Sequence, residues 1–258
     1  MRDPEQKPVR LILNRFPLDP EVLASEHTAQ SVFLNGKLCT DSDLRALAAL
    51  PNATALQIAG LGTTLAALAE VPWLQNLHLD DPTTLDGLER LRQVRKLGVY
   101  HFPKIHDLRP IGSLEELRSL LLSTPPGYDA SRKCFEVGSL EPLARLGRLE
   151  ELTMRGVVPL RDRLEPIHNL KRLLRLAITH VYCFTLEDYA RLARALPDTT
   201  GHCLEPFFAA SWAGTCRRCG GGRVVLTGAR PRHARLLCPV CQQTRLEQHV
   251  AAWNAIAQ

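Results

Sequence analysis

Apolar residues recur along this chain with one spacing that is repeated six times. Within residues 65–79 the pattern is L-x-x-L-x-x-V-x-x-L-x-x-L-x-L, so four steps of three residues precede one step of two. The same steps occur within residues 44–58, 65–79, 85–99, 108–122, 140–154 and 164–178. Every one of these positions is apolar, although only 45% of the chain is hydrophobic. A period of about 20 residues with this regularity indicates a repeat protein.

The two-residue step at the end of each copy predicts a short β-strand. Leu77 and Leu79 lie two positions apart, so both side chains point to the same side of a strand, which here is the core. The preceding steps of three suit a turn, a 3₁₀ helix or an irregular helix on the opposite side. One copy cannot bury its own apolar positions, but stacked copies share a column of Leu, Ile and Val. We therefore expect an α/β fold.

The L-x-x-L-x-x-L-x-x-L-x-L layout resembles the leucine-rich repeat family. The resemblance covers about residues 9–204 and implies a curved solenoid whose short parallel strands line the concave face. We assign residues 1–205 to this solenoid, with degenerate N-terminal coils at Leu11–Leu13 and Val32–Leu34. We expect a last strand at His202–Leu204. The terminal coils depart from the regular pattern, as is common where they cap the core.

The chain departs from the family pattern in its turns and in one insertion. Many such repeats place Asn or Cys three residues after the last strand leucine, and those positions here are Leu61, Pro82, Phe102, Pro125, Val157 and Val181. The turns must satisfy their backbone groups in another way, which predicts an irregular spine. Residues 125–134 lengthen the connection between the fourth and fifth copies, and their Pro and Gly predict a projecting loop.

Two cysteine pairs near the C-terminus have the spacing of a zinc site. Cys216 and Cys219 are followed, after 18 intervening residues, by Cys238 and Cys241. Four thiolates on two tight turns complete a tetrahedral shell for one structural zinc ion, with no open position for catalysis. The segment resembles a zinc ribbon, so we assign residues 206–258 to a zinc-ribbon-like domain. Leu246, Val250, Trp253 and Ile256 predict one face of a closing helix.

Two other interpretations of the cysteine pairs remain open. Each C-x-x-C pair has the spacing of a redox dithiol, and four cysteines have enough sulfurs for two disulfides. Disulfides are rare in a cytosolic chain, and about fifty residues need a staple to fold, both of which favour zinc. The four other cysteines are scattered, and we expect reduced thiols there.

Strand alternation also predicts a recognition surface on the face opposite the core. Its polar side chains grade from acidic to basic along the repeats, with an aromatic and an apolar residue near the middle. We expect the partner-binding residues to be His78, Asp80, Asp81, Tyr100, His101, Leu121, Arg155 and Arg175. Tyr and Arg are frequent anchors at protein interfaces.

These features favour a non-enzymatic protein that binds another protein through the concave face. No phosphate loop, dinucleotide fingerprint or His-Glu-x-x-His pattern occurs in the sequence. The family resemblance also implies a narrower role as a bacterial immunity protein that neutralises a toxin, or as a scaffold protein.

The alternative is nucleic-acid binding by the C-terminal module. The net charge of +5 falls entirely within residues 205–258, which contain seven Arg and two Glu. The arginines expected to contact phosphates in this alternative are Arg217, Arg218, Arg223, Arg230, Arg232 and Arg235.

The hydropathy profile predicts no membrane span, because no run of about 18 apolar residues occurs. The N-terminal residues lack the apolar core that a signal peptide places behind a basic start. We therefore expect a cytoplasmic protein.

Overall fold

A computed structural model describes residues 9–124, 134–229 and 236–258. The insertion predicted at residues 125–134 falls outside these residues except for Cys134. The strands in chain order are β1 Arg10–Leu13, β2 Ser31–Asn35, β3 Ala55–Ala59, β4 Asn76–Asp80, β5 Lys96–Tyr100, β6 Ser119–Ser123, β7 Phe135–Val137, β8 Glu151–Arg155, β9 Val157–Pro159, β10 Arg175–Thr179, β11 Phe207–Ala209, β12 Val224–Leu226 and β13 Leu236–Leu237.

Eight of the described strands form one parallel sheet in the order β1-β2-β3-β4-β5-β6-β8-β10. Neighbouring coils pair in register, so that Leu77 lies beside Leu56 and Leu97 beside Leu77. The two inward apolar residues of each strand among β2–β6, β8 and β10 are buried in the stack, as at Leu77 and Leu79, which are 2% and 0% exposed. This arrangement confirms the α/β solenoid with one parallel strand in each coil.

Short 3₁₀ helices lie on the opposite side of the core, as the steps of three predicted. Their amides bond three residues back, as Leu68 N does to Leu65 O at 3.0 Å. The described 3₁₀ helices are Gly36–Leu38, Leu47–Ala49, Ala66–Glu70, Leu88–Arg90, Ile111–Ser113, Glu141–Arg145, Glu165–Asn169, His202–Leu204 and Ser211–Ala213. Four α-helices are described: α1 Pro20–Ala24, α2 Asp41–Ala46, α3 Leu186–Ala195 and α4 Gln243–Ala257. None of the described helices is both long and apolar enough to cross a membrane.

Apolar residues replace the Asn ladder after the strands. Leu61, Phe102, Val157 and Val181 are all buried, whereas Pro125 lies outside the described residues. The turn amides bond to carbonyls of the next coil instead, as Gly60 N does to Asp80 O at 2.7 Å. Backbone bonds between coils thus satisfy groups that an Asn side chain would otherwise bond.

The strand predicted at His202–Leu204 is wrong, because these residues form a 3₁₀ helix. Only Thr200 bridges to β10, opposite Arg175, among the residues described after that strand. Leu204 N then bonds to Gly201 O at 2.9 Å, so the chain turns away from the sheet edge. The helix α3 occupies the outer side of this last coil, and Thr185 and Asp188 form a capping box at its N-terminus.

The C-terminal residues form a small antiparallel sheet in the order β11-β12-β13. Val224 lies opposite Leu237 in the pair of β12 and β13, and β11 adds a third strand. The predicted closing helix is α4, whose Trp253 is 3% exposed. Trp253 and Val225 belong to the same buried apolar cluster as the repeat leucines. The core is therefore continuous across the proposed boundary near residue 205.

Candidate functional site

The outward side chains of β1–β6, β8 and β10 form one surface, here called the strand face. In-register pairing arranges these side chains in rows that cross the sheet. The middle row is Ile12, Phe33, Gln57, His78, Gly98, Leu121, Thr153 and Ala177. The next row toward the strand ends includes Asp80, Tyr100, Ser123, Arg155 and Thr179. Of this second row, Ser123 is 1% exposed and contributes nothing to the surface.

Three of the predicted residues form a connected cluster, here called the Asp80 cluster. His78 Nε2 lies 3.3 Å from Asp80 Oδ1, and Gln57 Nε2 donates to Asp80 Oδ2. The imidazole of His78 stacks on the Tyr100 ring, with centroids 4.5 Å apart. The His78 and Asp80 side chains remain about one third exposed, at 35% and 31%. The cluster is thus fixed by mutual contacts and still accessible to a partner.

Gly98 makes room for this cluster, and the sequence pattern did not identify its role. A Cβ atom at Gly98 would lie 2.8 Å from His78 Nδ1. The missing side chain in the middle row therefore accommodates the His78 ring beside Tyr100. A glycine inside a strand is a sequence signal for such a close approach.

The N-terminal coils also contribute to the strand face, although the sequence identified them only as caps. Arg10 Nη2 donates to Gln57 Oε1 at 2.8 Å. The Arg10 guanidinium also lies 4.9 Å from the centroid of the Phe33 ring. These contacts extend the Asp80 cluster to the first strand.

Asp81 and His101 lie directly after β4 and β5 and adopt left-handed backbone conformations. Their φ angles are 51° and 45°, and the corresponding residues in other coils include Gly60 and Gly156. A non-glycine residue in this region costs about 1–2 kcal/mol, although Asp and His occur there more often than most. The turn geometry therefore fixes where these two polar side chains leave the sheet. Asp81 is exposed and His101 is half-buried.

The predicted basic residues lie apart from the Asp80 cluster. Arg155 lies on β8, and Asp80 lies on β4. The strands β5 and β6 lie between them in the sheet, so the two residues are three strand spacings, or about 14 Å, apart. Arg175 lies on β10 and forms an ion pair with Glu151. Leu121 is half-exposed in the middle row between the two groups. The structure thus brings His78, Asp80 and Tyr100 together and leaves Arg155 and Arg175 at the other end of the face.

The four cysteines with zinc-site spacing converge on one point. Their sulfur atoms all lie within 4.8 Å of one another. Cys216 Sγ is 3.8 Å from Cys241 Sγ, and Cys219 Sγ is 3.5 Å from Cys238 Sγ. A tetrahedral metal site with metal–sulfur distances of about 2.3 Å has sulfur–sulfur edges of about 3.8 Å. The quartet therefore fits a single tetrahedral metal ion.

Backbone bonds hold each cysteine pair in a tight turn. Gly220 N donates to Cys216 O at 2.9 Å, and Gly220 adopts a φ of 74° that favours glycine. Gln242 N donates to Cys238 O at 3.0 Å in the second turn. The amides of Arg218 and Cys219 also point at the Cys216 sulfur and lower its pKa to about 6. Hydrogen bonding to the neighbouring sulfurs, first to Cys219, favours the protonated Cys241 thiol and raises its pKa to about 12. A cation between the sulfurs would favour the thiolate at Cys241 as well as at Cys216.

Only part of the predicted arginine set is described. Arg217 and Arg218 are exposed between the first two cysteines, and Arg223 is half-buried before β12. Arg230, Arg232 and Arg235 lie outside the described residues. The structure therefore places two exposed guanidinium groups beside the cysteine quartet.

A second thiol contact joins distant parts of the chain and was not predicted. The Cys183 thiol donates a hydrogen bond to Cys134 and lowers the pKa of the Cys134 thiol. Burial instead raises the pKa of both Cys39 and Cys203 to about 12. Only the thiolate is nucleophilic, so the scattered cysteines differ in reactivity.

We expect Cys134 to react with iodoacetamide at pH 8 about 100-fold faster than Cys39 or Cys203. The physical reason is that a thiol with a raised pKa is almost wholly protonated at this pH, and burial further limits access. Peptide mass spectrometry after timed quenching measures all three rates in one sample. The Cys183→Ala variant, which removes the thiol donor, provides the comparison for Cys134. Equal rates at the three cysteines would contradict the assignment.

The class defined by this architecture is the leucine-rich repeat solenoid, with one parallel strand and one short helix in each regular coil. Among solved structures, the chain is similar to internalin C2 of Listeria monocytogenes, with 18% identity and a TM-score of 0.47 over 71% of this chain and 73% of internalin C2. A leucine-rich repeat protein of Leptospira interrogans matches with 13% identity and a TM-score of 0.29 over 71% of this chain and 62% of its own.

The structure of TLR13 in complex with ssRNA13 matches with 15% identity and a TM-score of 0.44, over 66% of this chain and 29% of TLR13. No protein-family profile and no curated protein matches the sequence. The comparisons concern the fold, and the functional assignment rests on the side chains of this chain.

Proposed function

We propose that this chain is a non-enzymatic module that binds another protein through its strand face, the side that is concave in the family. The Asp80 cluster carries this proposal. Its carboxylate, imidazole and phenol are oriented by one another and remain accessible, which lowers the entropic cost of engaging a partner. The proposed contact residues are His78, Asp80, Asp81, Tyr100, His101, Leu121, Arg155 and Arg175.

Charge distribution supports a protein partner with complementary charges. Asp80 and Asp81 lie at one part of the face, and Arg155 and Arg175 lie toward its C-terminal end. Such separation fixes the direction in which a partner lies on the surface, because like charges brought together are strongly unfavourable. Leu121 and Tyr100 provide apolar area between the two charged regions.

We infer that the four cysteines hold one structural zinc ion. The close sulfur contacts cross between the two pairs, Cys216 to Cys241 and Cys219 to Cys238. A redox dithiol would instead bring the two sulfurs of one C-x-x-C pair together. When bound, zinc cross-links the two turns and has no open position, so it supplies no catalytic chemistry.

Narrower roles follow from the family resemblance. A module of this kind neutralises a toxin as an immunity protein or acts as a scaffold, and reduced thiols at a zinc site fit a cytoplasmic location. Nucleic-acid binding by Arg217, Arg218, Arg223, Arg232 and Arg235 is the alternative. In that case the chain would co-purify with nucleic acid. Nuclease treatment would abolish this association, and the affinity would fall steeply as the salt concentration rises.

We expect a photo-cross-linking side chain at Thr153 to capture the partner protein, whereas the same side chain at Arg92 does not. Thr153 lies in the middle row of the strand face, and Arg92 is exposed in the turn that precedes β5, outside that row. Cross-linking in cells followed by mass spectrometry identifies the captured protein. Capture from Arg92 alone would contradict the proposed face.

With that partner purified, we expect Tyr100→Ala to weaken binding by at least about 30-fold, as truncation of an aromatic anchor does. Titration calorimetry measures the affinity, and Arg92→Ala is the control. Unchanged affinity of the Tyr100→Ala protein would move the site away from the Asp80 cluster.

A further inference from the structure

A cavity of about 870 Å³ lies at the C-terminal end of the strand face. Its strand-face wall comes from β8 and β10, through Thr153, Ala177 and Thr179. The opposite wall comes from Phe208, Trp212 and Val225 of the C-terminal module. The cavity is therefore continuous with the proposed partner-binding face and is bounded on one side by the C-terminal module.

The loss of strand pairing after β10 creates this cavity. Thr200 alone bridges to β10 in the described part of the last coil, and the chain then turns into the helix His202–Leu204. Gly201 approaches the sheet edge so closely that a Cβ atom there would lie 2.0 Å from Leu176 O. The space beside Ile178 and Val181 that a further strand would fill is thus left to a ligand.

The lining combines an apolar floor with aromatic walls. Leu176, Ile178 and Val181 lie at its base and are largely buried. The rings of His202 and Phe208 stack with centroids 5.2 Å apart, and those of His180 and Tyr182 meet edge to face at 5.7 Å. Trp212 also lines the cavity and is 60% exposed. Cavities of about 300–1,000 Å³ with such linings accept aromatic or aliphatic groups.

A cationic group lies next to this largely apolar site, whose lining also includes the exposed Glu205 and the Arg175–Glu151 ion pair. Arg155 is registered beside Thr179, which lines the cavity. Arg155 is exposed, and no carboxylate in the described part of the chain forms an ion pair with it. Arg175, by contrast, is already paired with Glu151. Arg155 lies one strand spacing, about 4.8 Å, from Thr179, and two residues of an extended segment span about 6.6 Å. The long Arg155 side chain can therefore reach a group two residues along an extended segment that is seated in the cavity.

We propose that the cavity anchors an extended acidic segment of the partner protein, which inserts an aromatic side chain and places a carboxylate two residues later on Arg155. This inference rests on the proposed function and names the chemistry of the segment that the strand face recognises. The aromatic side chain packs between Trp212 and Tyr182 over the apolar floor. The carboxylate forms the ion pair that Arg155 lacks within the described part of this chain.

The test uses three synthetic peptides and the full chain labelled with ¹⁵N. The peptides are Gly-Ser-Phe-Ser-Glu-Ser-Gly, the same sequence with Ala for Phe, and the same sequence with Lys for Glu. We expect the first to shift the indole resonance of Trp212, assigned from Trp212→Ala, with a dissociation constant of about 1 mM or tighter. The other two should bind at least about tenfold more weakly.

Two variants and one control complete the design. Trp212→Ala and Arg155→Glu should each weaken binding of the first peptide by at least about tenfold. Binding to these variants is measured from the backbone amide shifts of Ala177 and Thr179. Leu38→Ala removes a side chain that is 73% exposed near the other end of the sheet and should change nothing. No shift with the first peptide, or equal shifts with all three, would overturn the proposal.

The outcome is separable from that of the proposed function. If the partner still cross-links at Thr153 and depends on Tyr100 but tolerates Trp212→Ala, the strand face stands and the anchor cavity is refuted. Peptide binding together with a partner affinity that Tyr100→Ala leaves unchanged would instead leave the cavity as a site and refute the Asp80 cluster.

Discussion

The Cys238→Ser variant is expected to bind no zinc and to lose the fold of the C-terminal sheet, whereas the eight-stranded sheet remains folded. Cys238 is 2% exposed and supplies one of the four sulfurs. The apolar cluster specific to this sheet consists of Val224, Leu226 and Leu237 with few partners. Structural zinc contributes about 10–16 kcal/mol to small modules, more than such a cluster can replace.

Two measurements separate these consequences. Metal analysis should find about one zinc per chain in the natural protein and none in the variant. Hydrogen exchange should become fast at β11–β13, while the strands β3–β10 retain protection because their leucine column is intact. Trp253 packs in that column, so the last turns of α4 should be protected longer than its first turn, where Leu246 contacts the C-terminal sheet.

The matched control is Cys134→Ser, which makes the same change of atoms outside the quartet. It should retain one zinc and the protection of β11–β13. A Cys238→Ser protein with normal zinc content would refute the Cys₄ site. Normal exchange without zinc would show instead that the module folds on packing alone.

The repeat pattern was sufficient to predict the sheet because each strand faces the core in the same way. Leu77 and Leu79 recur in register with the leucines of the neighbouring coils, so a local spacing defines a global arrangement. The C-x-x-C spacings likewise predicted which sulfurs converge. In both cases the sequence separation between interacting residues is nearly constant, and pattern analysis can use it.

Contacts that depend on one coil meeting another were not predictable in this way. The position of His78 depends on the missing side chain at Gly98, in a different coil. The predicted strand at His202–Leu204 failed because Leu204 N bonds back to Gly201 O, which closes a helical turn that the two-residue step from His202 to Leu204 does not reveal. The cavity beside β10 depends on that same ending of the sheet. Periodicity cannot report a place where the period stops.

The Gly228→Ala variant is expected to separate the C-terminal module from the last coil. Gly228 has a φ of 71°, and its amide donates to Val181 O at 3.1 Å. An added Cβ would lie 2.3 Å from Leu186 N and 2.6 Å from the Thr185 carbonyl carbon. Both contacts are with backbone at the capped start of α3, where neither side can rotate away. The methyl group therefore forces the two units apart.

The magnitude follows from comparison with Gly214, whose φ of 68° is nearly the same but where an added methyl group would meet no atom within 4 Å. Gly214 has a ψ of −169°, a conformation almost restricted to glycine, so Gly214→Ala should cost only this backbone strain, about 1–3 kcal/mol of unfolding free energy. Gly228→Ala adds overpacking, for a total of about 2–5 kcal/mol. Urea denaturation followed by tryptophan fluorescence measures both variants, and Trp253 reports the separation directly because it is buried in the shared core. Equal costs for the two variants would mean that the junction yields freely and that the cavity it encloses is not held in a fixed shape.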